Sequence, residues 1–275
     1  MLSTRSRCFP LLLLAAIVMV AAGLPSVAHT LSLKAAQAAV SSATHGGMKA
    51  ESVFAGPDGL TGAVAVGNGG FKSVVWLTRH GQAVIVQGSL MGRDGKNYTQ
   101  NAMYSTGILK KPAAVLKTLL AKGDPIHAGH AGPVVTVLFD PNCIFCHLLH
   151  KAFLPLVNAG KLQVNYVLVG IIKPDSFGKA SSILQAKDPL DALNEDEAHF
   201  NKKTEEGGYP VAQILHATYE RTVRDNAVAM QQLGSTGTPT LLYCGKGGHV
   251  HMQAGMPQAA DAFVAGLGSC GNASR

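Results

Sequence analysis

Two cysteines, Cys143 and Cys146, stand at the end of an apolar run, Val-Val-Thr-Val-Leu-Phe over residues 134–139, and at the start of a helical pattern that continues from His147. This junction restricts the fold. A buried strand feeds a helix that Pro155 should kink and Gly160 should end, and residues 162–169 then form a second almost uninterrupted apolar strand. Strand, helix and strand make a right-handed unit with parallel strands, and the cysteine pair falls at the C-terminal end of the first strand, where open α/β sheets carry their sites. A thiolate at a helix N-terminus gains from the macrodipole and from free backbone N–H groups, so its pKa can fall to roughly 3.5–7.5. Cys143 at the cap therefore reads as an exposed nucleophile. Cys146, one turn along, reads as the buried thiol that resolves a mixed disulfide.

The same residues admit other chemistry. Cys143 and Cys146 could be half of a zinc site completed by His147 and His150, although structural zinc sites usually draw their ligands from separated knuckles. Cys143-Ile144-Phe145-Cys146-His147 also matches the c-type haem attachment pattern. The strand directly before the motif and Gly237-Thr238-Pro239 far downstream argue against haem. His127 and His130, in a Gly- and Pro-containing loop, read as exposed histidines and not as ligands. The expectation is no metal and no cofactor.

The N-terminus carries Arg5 and Arg7, an apolar run of ten to thirteen residues from Leu11, and Ser26-Val27-Ala28 as a small-x-small cleavage site. That is the pattern of a secretory signal peptide over residues 1–28, since a membrane span needs ~20 apolar residues. Its removal lowers the formal charge from +7 to +5, a modest excess that surface lysines explain without nucleic acid. Cys8 leaves with it. The remaining even count in an oxidising compartment suggests that Cys244 and Cys270 form a structural disulfide, the alternative being two free buried thiols.

With 47% hydrophobic and 14% charged residues the chain has material for a substantial core. After an Ala-rich helical stretch at 31–40, residues 48–106 turn Gly-rich with alternating apolar positions, and 60–66, 71–78 and 82–88 read as strands, with Arg79-His80-Gly81 as a hairpin turn. So small a sheet buries little alone and leans on a partner. Residues 112–122 have helical spacing, with Pro112 suited to the first position and Gly123 to the end, and read as a linker helix. From 176 to 233 the pattern is helical, and Val211, Ile214, Leu215, Thr218 and Tyr219 are expected to share one face. Strands at 240–244 and 249–254 and a helix at 257–266 close the chain. The domains expected are 29–106, a linker helix and loop at 107–132, and 133–275 with a helical insertion at about 175–234.

At this point the chain resembles the periplasmic thioredoxin-fold disulfide isomerases and reductases of the DsbC/DsbG family, nearest its DsbG branch. The resemblance is carried by Gly46-Gly47-Met48-Lys49, by 78–88, by Phe139-Asp140-Pro141-Asn142-Cys143-Ile144-Phe145-Cys146, and by 160–162 through Gly170-Ile171-Ile172-Lys173-Pro174. It extends to Ala186-Lys187-Asp188-Pro189, Thr238-Pro239 and Gly255-Met256-Pro257. It implies an α+β architecture: a small antiparallel, cystatin-like dimerisation domain, a linker helix, and a thioredoxin-like domain with a helical insertion. A V-shaped homodimer, a cis Pro239, and a Thr238 backbone that pairs with an extended substrate segment are further implications. So are exported substrate proteins with cysteines and a membrane electron donor of the DsbD type. One departure stands out, because relatives commonly have a Pro-Tyr type pair where this chain has Ile144-Phe145, and a Lys where it has His147. The dipeptide tunes the thiolate and hence the potential.

The function expected is therefore thiol–disulfide exchange on exported proteins, as isomerase or reductase, including reduction of sulfenylated cysteines. Two alternatives belong to other classes: a holdase-type chaperone whose apolar cleft does the binding, and a haem-carrying electron-transfer module.

Overall fold

The computed structural model describes residues 30–270, so the expected signal peptide lies outside the described residues. The chain divides into two compact units. The first runs to Asn68 and resumes over Val75–Val86, and the second comprises Gly69–Val74 and everything from Gln87 onward.

In the first unit α1 (Leu33–Ala43) starts at Ser32, whose side chain accepts the Ala35 N–H, satisfying one of the free donors of the first turn. Ala36 and Val40, four apart and hence on one face, are wholly buried. They pack on a sheet ordered β1 (Met48–Ala55), β2 (Thr61–Gly67), β3 (Lys72–Leu77), β4 (Val84–Ile85). Alternate residues, Met48 and Ala50, Ala63 and Ala65, Val75 and Leu77, supply that core. The Phe54 ring lies across Gly62 and meets Trp76 edge-on at 5.6 Å. The strand expected at 82–88 shrinks to β4, and β1 is an addition to the strands read from the sequence. Its pattern was obscured by a bulge between Ala50 and Ser52, which breaks the alternation that marks a strand.

The second unit opens with α2 (Tyr98–Ser105), in a region the sequence reading gave to the small sheet. Asn97 caps it by accepting the Gln100 N–H. The helix expected as a linker, α3 (Pro112–Lys122), is packed: Val115, Leu116 and Leu119 are buried against Leu138, Val167, Met230 and Leu242. Strands β5 (Ile126–Ala128), β6 (Val134–Phe139), β7 (Gln163–Leu168), β8 (Thr240–Cys244) and β9 (Val250–Ala254) form a sheet in the order β5-β7-β6-β8-β9. The sheet thus begins at 126, ahead of the boundary expected at 133. β6 and β7 are parallel and every other pairing is antiparallel. The link between the parallel pair is α4 (Ile144–Asn158), which runs through Pro155. Val135, Val137 and Phe139 of β6 join the core of Leu149 and Phe153 from α4, while Leu138 joins the core of α3, so the period of two along one strand sends side chains into two layers.

The expected insertion contains α5 (Ser176–Leu184), α6 (Pro189–Ala198) and α7 (Ala217–Gln232). Val211, Ile214 and Leu215 precede α7 and are not on a helix, which corrects the helical face read from their spacing; Val211 is 43% exposed and Ile214 77%. Pro210 has no N–H to give a helix. The N–H groups of Ala212 and His216 bond instead to Ser182 Oγ at 2.8 Å and Gln185 Oε1 at 3.0 Å. The chain closes with α8 (Ala260–Ala265), shorter than expected.

Candidate active site

Asp140, the first residue beyond β6, is wholly buried and organises the loop that carries the cysteines. Its carboxylate accepts the N–H groups of Asn142 at 2.9 Å, Ile171 at 2.7 Å and Ile172 at 2.9 Å, and the Ser176 hydroxyl at 2.8 Å. Four donors on one carboxylate fix the end of β6 against the chain leaving β7 and entering α5. Asn142 extends the clamp by donating to Asp175 and Ser176 and accepting the Gly207 N–H at 3.0 Å. Burial pushes the Asp140 carboxyl up, and these hydrogen bonds pull it back.

Cys143 follows with extended backbone (φ −97°, ψ 115°) and is the N-cap of α4, its Sγ accepting the Cys146 N–H at 3.3 Å. Ser, Thr, Asn and Asp are the usual residues there; a cysteine at that position offers its sulfur to the free N–H groups. The Cys143 Sγ–H also donates to the Thr238 carbonyl oxygen at 3.3 Å, and the Thr238–Pro239 bond is cis. Cys143 and Cys146 are both free thiols. Cys143 is 4% exposed and Cys146 0%, so the cap cysteine is more sheltered than its expected role as an exposed thiolate implies. The Cys143 thiol is lowered from 9.0 to about 7, chiefly by hydrogen bonding from the Cys146 side chain, with burial opposing and the N–H groups of Cys146 and Phe145 assisting. Burial, and then Cys143 itself, push the Cys146 thiol well above its ordinary value. The helix terminus contributes to the depressed thiol, but the partner sulfur contributes more.

His147 and His150 are each 5% exposed. His147 stacks on Phe200 with ring centres 4.4 Å apart, and its Nδ1 bonds Glu197 Oε2 at 2.8 Å. Burial, then Lys202 and Lys151, lower the His147 pKa, and burial takes His150 to about 4. His127 in β5 bonds Asn165 at 2.7 Å, and His130 lies in the following loop. Among the described residues no three or more His, Cys, Asp or Glu side chains are placed to hold a metal ion. A disulfide joins Cys244, at the end of β8, to Cys270, 26 residues on. The sequence reading missed Glu197 and Gly207. Nothing in their local sequence marks them, since both reach the site from the insertion.

A dithiol at a strand-to-helix junction, faced by the carbonyl before a cis proline, defines a thioredoxin-fold exchange site. The thioredoxin-like domain family matches residues 126–267. The thiol:disulfide interchange protein DsbG of Pseudomonas aeruginosa is 32% identical over 208 residues, which cover 74% of this chain and 78% of that protein. DsbG of Escherichia coli is 32% identical over 126 residues, 46% of this chain and 49% of that one. Among solved structures, Helicobacter pylori DsbG is 15% identical with a TM-score of 0.36, covering 76% of this chain and 98% of that one. The chain belongs to the thioredoxin-like family and, within it, to the DsbG-type thiol:disulfide interchange proteins, and is a periplasmic thiol–disulfide oxidoreductase.

Proposed function

We propose that Cys143 is the attacking thiolate and Cys146 the resolving thiol, and that the protein isomerises or reduces disulfides, and reduces sulfenylated cysteines, on exported proteins. The observation that carries this is the asymmetry of the pair: the Cys143 sulfur caps α4 and titrates at about 7, while Cys146 is wholly buried with a raised pKa. Thiolate Cys143 attacks one sulfur of a substrate disulfide, forms a mixed disulfide and releases the other substrate thiolate. If that thiolate returns to a different sulfur, the substrate is isomerised. If Cys146 attacks Cys143 first, the substrate leaves reduced by two electrons and the pair is left oxidised. Thr238 and Pro239 present the backbone against which an extended substrate segment pairs. Cys146→Ala should accumulate long-lived mixed disulfides with exported proteins, and Cys143→Ala should trap almost none. Trapping by the Cys143 variant would reverse the roles.

Re-reduction of the pair requires a two-electron thiol donor, assigned here to a membrane protein of the DsbD type. The protein works as a homodimer joined through its first unit, after cleavage of residues 1–28. Sedimentation of a form lacking residues 29–105 tests the dimer, and a dimer that persists would remove the assignment.

A further inference from the structure

Asn142, immediately before Cys143, is wholly buried and uses every polar group of its side chain. Its backbone N–H goes to Asp140 Oδ1 at 2.9 Å, its Nδ2 donates to Asp175 Oδ1 at 2.9 Å and Ser176 Oγ at 3.1 Å, and its Oδ1 accepts the Gly207 N–H at 3.0 Å. Asp140 to Cys143 is a turn, closed by the Cys143 N–H on the Asp140 carbonyl at 3.0 Å. The setting of Asn142 therefore fixes where the next residue begins α4. Gly207 lies at the foot of a short strap over 201–206, whose ends, Asn201 and Glu206, exchange backbone hydrogen bonds. Residues 201–206 are all exposed, so the strap is held from its foot. Lys179 of α5 holds it there. Its Nζ donates to the Gly207 carbonyl and lies 3.9 Å from Asp175 Oδ2, so it touches two of the residues that Asn142 also touches. Asn142, Gly207, Lys179 and Asp175 close a ring drawn from the active-site loop, the strap and the start of α5.

Lys179 is 5% exposed and is the one buried lysine among the described residues. Lysine is rarely buried unless its charge is answered, here by Asp175 and by the wholly buried Asp196 of α6. Burial raises the Asp196 carboxyl, and the Lys179 ammonium pulls it back. Asp196 also closes over Gly207, leaving no room there for a Cβ. No step of the exchange described above uses the Lys179 charge.

We propose that Lys179 is a positioning residue for thiol–disulfide exchange: from α5 it locks Gly207 and Asp175 around Asn142, and so holds the Cys143 sulfur in line with the N–H groups that begin α4. This rests on the reading of Cys143 as the attacking thiolate. The helical insertion thereby sets the reactivity of a cysteine it does not touch. With Lys179 gone, the Gly207 carbonyl and Asp175 lose their shared cation and Asn142 is freed to turn. Cys143 Sγ then loses its alignment with the Cys146 N–H, now at 3.3 Å, and with the Phe145 N–H, both of which hold its thiol down.

The test follows iodoacetamide labelling of Cys143 against pH in the reduced mature protein. The unaltered protein should be half-labelled near pH 7; a midpoint at the ordinary thiol value would overturn the reading of Cys143 and the proposal with it, and every other outcome concerns Lys179 alone. Lys179→Met keeps the apolar stem and removes the ammonium. It should raise the midpoint by about one unit, which slows labelling at about pH 6 roughly ten-fold, because only thiolate reacts. Asn142→Ala should act in the same direction, and Lys179→Met in that background should add less than about two-fold, since the lysine works through Asn142. Lost stability with an unmoved labelling profile would make the lysine merely structural, and fully additive shifts in the double variant would mean that it does not act through Asn142; either overturns the proposal. Should Lys179→Met not fold, Lys173→Ala decides. Lys173 is partly exposed and donates to the Thr204 carbonyl of the same strap. Its loss should slow labelling at about pH 6 by about two-fold or more, and an unchanged rate overturns the proposal.

Discussion

The sulfur of Cys143 and the backbone oxygen of Thr238 lie 3.3 Å apart although 95 residues separate them in the chain. The contact links the cap of α4 to the loop that enters β8, and only the thiol form can donate across it. The sulfur titrates at about 7, because the Cys146 side chain, Thr238 and the N–H groups of the first turn together outweigh the cost of burial.

Alkylation measures the balance directly. Iodoacetamide reacts with thiolate, so labelling of Cys143 should be half-maximal near pH 7, with Cys146 unlabelled over the same range. In Cys146→Ala the largest lowering influence is gone, and the midpoint should move upward. A midpoint that stays in place would assign the shift to the helix terminus alone. Peptide mass spectrometry after quenched labelling separates the two cysteines.

Asp196 should be a source of instability at neutral pH. Burial raises its carboxyl to about 7 from an ordinary 3.8. A raised carboxyl contributes its stability below about pH 4 and loses it as pH climbs through 7, by up to about 4 kcal/mol. Asp196→Asn keeps the acceptor for the Tyr209 N–H and removes the ionisation. Urea unfolding should show the variant more stable than the parent at about pH 8, with the advantage vanishing near pH 4. A constant difference across that range would mean that the charge is not the cause.

Gly170 sits where β7 gives way to the chain that bonds Asp140. A Cβ there would meet the Phe177 backbone at 2.3 Å from its Cα and 2.5 Å from its nitrogen. Backbone cannot swing aside as a side-chain end can, so Gly170→Ala should destabilise by about 1–3 kcal/mol or more. It should also perturb the Cys143 labelling profile, because Ile171 and Ile172 would be pulled from the Asp140 carboxylate. Unchanged denaturation and labelling would show that the loop yields.

Removing the Cys244–Cys270 bond by a double Ser substitution should cost about 3–4 kcal/mol for a closed loop of this length. Denaturant midpoints with and without the substitution give the figure. The Cys143 and Cys146 chemistry should survive, since Cys244 lies at the far end of β8 from Thr238, six residues along the chain.

Much of the site was legible in the chain because its signals are local. A dithiol after an apolar run fixes strand, cap and helix, and the order of β6, α4 and β7 follows from apolar runs that only a sheet covered on both faces can bury. The approach of Thr238 to Cys143 came from likeness to a family, since a lone Thr-Pro spells a loop. Spacing misled at Val211, Ile214 and Leu215, where periodicity fits a helix but Ser182 and Gln185 side chains compete for the N–H groups a helix would use. α3 read as a spacer because its sequence displays an apolar face without naming what covers it; Leu138 and Met230 do. Glu197 was invisible for the same reason. The sequence by itself determined the dithiol, its place at a helix start and the parallel strands around it, all properties of neighbouring residues. Tertiary structure alone decided how deeply each thiol is buried and what faces Cys143, because the Thr238 carbonyl that its sulfur meets lies 95 positions away in the chain.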